Sequence, residues 1–386
     1  MSEARVNNLS NESNTGGPTI SGITTFSGTN YFVPPVGNTA QRPENPQKGA
    51  IRFNTDSKHL EYYRGDNLGW SEVEASNDEL GGGTGSNTGT GTRLIAFGGG
   101  TPTATDTINF LTIPILGNAQ DFGDLNHAEN SMSAISDSTR ILCVGGASAH
   151  PGPHVNIIEK ITISSTGDGT DFGDTTTDCA MHAYGGGNST RGVYGGSGVP
   201  ANVNNLEYIT IQSEGNGVDF GDTVKEGQYR RGNAASTTRG VIMGLYAPGG
   251  DGHSNWNTIE YITIASTGDA QDFGDLTQTS SDATSTSNAI RALRIGKWPV
   301  NGTVDYVTIA TLGNAIDFGD MNVAAYHTSA ASNPTRAVKV GGNESPGATN
   351  SCEFFTIMTT GNGQDFGDLA YTTRGVGANS NGHGGL

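Results

Sequence analysis

The sequence predicts an all-β protein whose larger part is a ring of six four-stranded units. Three observations carry that expectation. The tetrapeptide Asp-Phe-Gly-Asp occurs six times, starting at Asp121, Asp171, Asp219, Asp272, Asp317 and Asp365, at intervals of 50, 48, 53, 45 and 48 residues. An alternating apolar run precedes every copy. Gly accounts for 59 of the 386 residues and charged residues for only 15%, a composition that suits strands and tight turns better than helices. A period of this length belongs to a repeated β unit, whereas an active site is needed once.

The front of the chain, residues 1–75, lies outside the repeat. Pro34, Pro35, Pro43 and Pro46 lead into "GAIRFNTDSKHLEYYRGDNLGWSEV". Three short strands are expected there, Ala50 to Phe53, His59 to Tyr63 and Trp70 to Val73, with "NTDSK" and "RGDNLG" as the turns. The tripeptide Arg64–Asp66 reads as part of a hairpin turn, not as an adhesion signal. The N-terminal text is polar and has no apolar core, so no secretory signal is expected. Residues 76–91, rich in Gly, Ser and Thr, read as a flexible linker.

From residue 92 to 386 each unit should contain four strands. The first is made of small residues. The second follows a Thr-Arg or Ile-Arg step and ends in Gly, as in "TRILCVGG". The third alternates, as in "IEKITI", "LEYITI" and "IEYITI", the period of a strand with two distinct faces. A Gly-Asn or Gly-Asp turn then returns the chain into the Asp-Phe-Gly-Asp strand. In that strand Phe is the one large apolar residue, and its Gly admits a neighbouring backbone. The chain enters the repeat at a second strand. The segment Val376 to Asn381 is therefore expected to supply the missing first strand of the first unit, so that the C-terminus closes the ring and no edge stays open.

Composition excludes several functions. With a net charge of −18 and no basic run, nucleic-acid binding is not expected. No stretch approaches the ~20 apolar residues of a membrane helix. Cys143, Cys179 and Cys352 read as small buried apolar residues, and the scattered histidines form no ligand pattern, so neither metal nor cofactor is expected. The kinase meaning of Asp-Phe-Gly fails for want of a His-Arg-Asp loop and a phosphate loop. Evenly spaced acids such as Asp168, Asp171 and Asp174 admit calcium. The favoured reading caps a turn with the second Asp or pairs it with the Thr-Arg arginines Arg93, Arg140, Arg191, Arg239, Arg291 and Arg336.

The loops between second and third strands vary most and share one face. They carry His150, His154, Tyr246, His253, Trp256 and Trp298, which are the candidate receptor-contact residues, since exposed aromatics on variable loops bind sugars or proteins. Alternatively, Trp256 and Trp298 simply cover sheet ends.

The repeat resembles the kelch repeat in its strand order and terminal Gly-Gly, with Phe where kelch has Trp. This resemblance implies a six-bladed kelch-like β-propeller preceded by a small β-rich anchoring module. "AQRPENPQKGAIRFNTDSKHLEYYRGDNLGW" resembles a module of tailed-phage fibres, and the chain as a whole is similar to virion proteins of marine cyanophages. The resemblance implies a non-enzymatic virion structural protein, a tail fibre or other appendage. Arg42, Pro43, Pro46, Ile51, Arg52 and Trp70 would then belong to the virion-docking module. The implied partners are other virion proteins and a host-surface glycan or protein, and the implied state is a homo-oligomer, most often a trimer. Two alternatives stay open: a decoration or assembly protein without host contact, and a propeller glycosidase.

Overall fold

The structure is a computed structural model that describes residues 34–57, 59–73, 92–100, 103–148, 154–176, 183–196, 203–229, 232–247, 254–344 and 347–386. The expected linker, His150, His253 and Cys179 lie outside the described residues. The chain divides into two units, Met1–Asn77 and Asp78–Leu386. Among the described residues the secondary structure is strand apart from one 3-10 turn, Thr39–Gln41.

In the first unit, strands Ile51–Asn54, His59–Tyr63 and Trp70–Glu72 form an antiparallel sheet, close to the expected bounds. A short strand, Val36–Gly37, adds to it in parallel beside Phe53 and Asn54; two residues are too few to leave a periodic signal. The Arg64–Asp66 segment is a turn, with the Tyr63 hydroxyl donating to Asp66 at 2.6 Å.

The second unit contains six antiparallel sheets, each built from one repeat. Sheet one uses Arg93–Phe97, Thr105–Thr112 and Gln120–Glu129, and its first strand is Gly377–Ser380, as expected from the C-terminal text. Sheet two runs Ser133–Ser136, Arg140–Ala147, His154–Thr162 and Thr170–Asp174. Sheet three runs Tyr184–Gly187, Arg191–Gly195, Val203–Thr210 and Val218–Gly227. Sheet four has Arg239–Ala247, Ser254–Thr263 and Gln271–Ser280, with its first strand reduced to a bridge between Ala235 and Gly240. Sheet five runs Thr284–Ser287, Arg291–Ile295, Thr303–Thr308 and Ile316–Asp320. Sheet six runs Ser329–Ser332, Arg336–Val340, Gly347–Thr356 and Gln364–Thr373, with a two-residue hairpin partner at Asn343–Glu344.

The Asp-Phe-Gly-Asp segment is the hook between sheets. In every repeat the register shifts at the Phe, so that Phe122, for example, is the extra residue between Asp121 opposite Asn109 and Gly123 opposite Ile108. A bulge of this kind turns the Phe inward, and all six are at most 3% exposed. The Phe carbonyl then accepts from the turn glycine of the next repeat: Gly167 on Phe122, Gly215 on Phe172, Gly268 on Phe220, Gly313 on Phe273 and Gly361 on Phe318. The series returns to the start with Gly117 on Phe366 at 2.8 Å. The Gly of the tetrapeptide is required by this approach: a Cβ on Gly367 would lie 2.5 Å from the Gly117 carbonyl oxygen.

The turn side chains complete the joint. The second Asp amide of each tetrapeptide donates to the Asn or Asp of the next turn, from Asp124 on Asp168 at 3.1 Å through to Asp368 on Asn118 at 3.1 Å. The arginines differ from expectation. Their guanidinium groups donate to carbonyl oxygens that end the third strand of the next sheet, as Arg93 does to Ile163 at 2.8 Å and Arg336 to Ile113 at 3.2 Å. Most also lie over an aromatic ring of their own sheet, such as Arg191 over Tyr208 at 4.4 Å. The tetrapeptide acids stay on the solvated outer strand, where an ion pair would contribute little.

Apolar cores fill the spaces between successive sheets, and one joins Leu94, Leu111 and Ile113 of sheet one to Val338, Phe354 and Phe366 of sheet six. Each fully buried Ile, Leu, Val or Phe contributes about 1.5–3 kcal/mol relative to exposure, which a lone four-stranded sheet could not gain. Buried acids missed by sequence reasoning reinforce these joints. Glu159, Glu207, Glu260 and Glu353 of the third strands each accept an amide from the preceding sheet at 2.9–3.0 Å. Asn109 does the same for Ala370 at 3.0 Å.

Candidate functional site

The antiparallel order sends two kinds of connection to one face: loops from second to third strands, and links from a fourth strand to the next first strand. The link is pinned to the end of the second strand that follows it. Gln228 and Tyr246 exchange both backbone hydrogen bonds at 2.7 and 2.9 Å, Ser281 and Trp298 at 3.2 and 2.8 Å, and Tyr326 and Asn343 at 3.2 and 2.7 Å. The next link residue is left-handed in each case: Tyr229, Asp282 and His327 have φ of 57°, 52° and 52°. These residues also run in series, the Asp282 amide donating to the Tyr229 carbonyl and His327 to Asp282, each at 3.2 Å. A non-Gly residue at positive φ is strained by roughly 1 kcal/mol or more.

Over sheets four and five this geometry gathers an open cavity of about 390 Å³ lined by Tyr229, Tyr246, Ser281, Asp282, Trp298, Tyr326 and His327. The rings form a continuous arc. Tyr246 meets Tyr229 edge-on at 5.8 Å, Tyr229 stacks on His327 at 6.5 Å, and Tyr326 touches His327 at 4.8 Å and Trp298 at 5.1 Å. At its centre His327 Nε2 lies 2.9 Å from Asp282 Oδ1. Trp298 is 46% exposed, so its ring is available to a ligand.

In the two other repeats whose equivalent positions are among the described residues, these positions carry no aromatic ring. Sheet two has Ala147 bridged to Asn130, followed by Ser131. Sheet one has Gly100 bridged to Arg374, followed by Gly375. Among the described residues the aromatic arc therefore departs from the pattern of the first two repeats.

Of the six candidate contact residues, the structure brings Tyr246 and Trp298 into one site. Trp256 goes elsewhere: it lies on the third strand of sheet four under the Lys225 ammonium, 3.7 Å from the ring centroid. His154 begins the third strand of sheet two, half-buried and away from the cavity. Tyr229, Ser281, Asp282, Tyr326 and His327 were missed because only second-to-third-strand loops were considered. Aligning the links would have found them, since Tyr, Asp and His replace Ser and Gly at one repeat position.

The opposite face is filled by the C-terminus. His383 is buried between the ends of the first strands, its Nε2 donating to the Ser136 carbonyl at 3.0 Å and its Nδ1 accepting from Gly385 at 3.1 Å. Burial lowers its pKa, opposed by the Ser136 carbonyl, and both ring nitrogens are satisfied in the neutral form. The first strands themselves meet closely: Ser136, Ser380, Ser332 and Ser287 each donate to a carbonyl of the adjoining sheet. The space between them is about 20 Å³, room for a water and not for a substrate. Asn233 Nδ2 spans it to the carbonyls of Ala330 and Ala378, both at 3.0 Å.

In the N-terminal unit the docking candidates divide. Glu61 is fully buried and binds Arg42 at 2.5 Å and Asn54 at 3.1 Å, with Arg52 at 3.5 Å. Hydrogen bonding from Arg42 lowers the Glu61 pKa against the cost of burial. Arg52 also lies 5.9 Å over Trp70. Arg42, Arg52 and Trp70 thus hold the module together. Pro46 is half-buried, Pro43 is exposed, and Ile51 is 53% exposed.

Among the described residues no group of three His, Cys, Asp or Glu side chains is arranged to hold a metal ion. No protein-family model matches the chain, and no curated protein matches it.

Proposed function

We propose that this chain is a structural protein of a tailed-phage particle, in which the N-terminal module attaches and residues 92–386 form a displayed six-bladed propeller whose loop face contacts the host surface. Support for the propeller is the hydrogen-bond series that runs from sheet to sheet and returns from sheet six to sheet one, together with a first strand supplied by the C-terminus. The observation that carries the contact role is the aromatic cavity, which breaks the repeat on the face of the variable loops. The left-handed backbone recurs at Ser131 and Gly375, so what sets this sector apart is the Tyr229, Asp282 and His327 side chains placed on it. Partners on this reading are other virion proteins and a host-surface glycan or protein, with the chain acting as a homo-oligomer.

The glycosidase alternative needs a pair of carboxylates flanking the scissile bond. Among the described residues the cavity lining contains Asp282 and no second acid, which favours binding without hydrolysis. Immunogold labelling of intact particles with antibody against the second unit tests the virion role. Gold on an external appendage supports it. Particles that stay unlabelled while the lysate is rich in the chain would overturn it.

A further inference from the structure

We propose that the cavity beside Trp298 is a saccharide-binding site for one or two pyranose rings. The inference rests on the reading of the loop face as the contact surface and adds the ligand class. The volume of about 390 Å³ suits a ligand of that size. An exposed indole beside a tilted phenol, at 5.1 Å, offers the apolar platform that the C–H face of a sugar covers. Next to it the Asp282–His327 pair lines the space together with Tyr229, Tyr246, Tyr326 and Ser281, residue types that carry the donors and acceptors a polyol edge requires. A purely apolar ligand would strip water from these groups without replacing it. An anionic ligand would meet the Asp282 carboxylate on a chain of net charge −18. A neutral, hydroxyl-rich ligand answers both constraints.

The left-handed backbone makes the site rigid. Asp282 and His327 are fixed by backbone hydrogen bonds in series, and Trp298 is pinned through both its amide and its carbonyl to Ser281. Pre-organised rings lose little freedom on binding. The neighbouring repeats provide a control within the same molecule, because Ser131 and Gly375 occupy the same conformation without any such side chain.

The test uses the full chain and a panel of methyl pyranosides: glucose, galactose, mannose, rhamnose, fucose and their N-acetylamino counterparts. Binding is followed by tryptophan fluorescence and by calorimetry, alongside binding of the labelled chain to cyanobacterial cells. At least one glycoside is expected to bind saturably and to compete with cell binding. Trp298→Ala should weaken it by about tenfold or more, and so should Asp282→Asn, a change that keeps a residue tolerant of left-handed backbone. Both variants should melt as the parent does. Cell binding that survives both variants and is not competed by any glycoside would overturn the saccharide site while leaving the contact role intact. Absence of both glycoside and cell binding by the folded chain would overturn the two together.

Discussion

Single residues decide the joints between sheets. The glycine of each Asp-Phe-Gly-Asp is the sharpest case. A Cβ at Gly319 would sit 2.5 Å from the Gly361 carbonyl oxygen, and its φ of 144° disfavours any other residue. Gly319→Ala should lower stability by about 2–4 kcal/mol, whereas Gly347→Ala, where nothing lies within 4 Å, should change it by less than about 0.5 kcal/mol; denaturant melts would separate the two. Glu129 sets a pH dependence. It is 4% exposed, and burial, aided by the Glu159 carboxylate, pushes its pKa up to about 8. The unfolded chain releases that proton near about 4.3. Its stabilising contribution is therefore full below that value and is lost as pH rises toward 8. Glu129→Gln should raise stability at pH 8.5 by an amount on the order of 2 kcal/mol, seen as a higher melting point, and barely alter it at pH 4.

At the scale of elements, much was legible in the sequence. The alternating third strand, the turn pair and the inward Phe follow from periodicity and from residue size, and the structure has them where the text put them. The partners of Arg93 and its equivalents were not legible, because a carbonyl oxygen leaves no mark in a sequence. Nor were the buried glutamates, since Glu at an alternating position looks like a solvated face until a neighbouring amide is known to need it. The C-terminal tail was read only as far as its strand. Beyond that strand His383 closes the end of the first strands, and "NGHGGL" looks like solvent-exposed text. Removing residues 382–386 should cost about 1–3 kcal/mol, as the buried Ser136 carbonyl loses its His383 donor and the Ser287 carbonyl keeps only the Ser332 hydroxyl in place of two donors. Because burial lowers the His383 pKa, the tail's contribution is present above about pH 6.5, the unfolded value, and is lost as pH falls below it. Faster relative exchange of the Gly384 and Gly385 amides at pH 5 than at pH 7.5 would report this; equal protection would contradict it.

For the whole molecule, one chemistry is repeated six times for architecture, and the proposed contact site departs from it among the described residues. The Asp-Phe-Gly-Asp copies could be recognised from sequence as building blocks because function does not need six identical sites. The proposed contact site was legible only in part: Tyr246 and Trp298 stood out on the variable loops, whereas Tyr229, Asp282 and His327 sit on links that only an alignment of the repeats sets apart, and folding brings the two sets together. Ending the chain at Arg374 would remove the first strand of sheet one together with the tail, uncovering Leu94, Ala96 and their partners in sheet six. Such a chain should lose its single cooperative melt and self-associate, which light scattering during a thermal scan would reveal.

The central claim is that the six sheets close on themselves, and amide hydrogen exchange at the first turn tests it most directly. The Gly117 and Ala119 amides donate to Phe366 and Asp368, as Gly167 and Gly169 do to Phe122 and Asp124. Closure requires Gly117 and Ala119 to exchange as slowly as the matching amides of the other five turns. Slow exchange at those five and rapid exchange at Gly117 and Ala119 alone would mean an open arc of sheets, and would contradict the account.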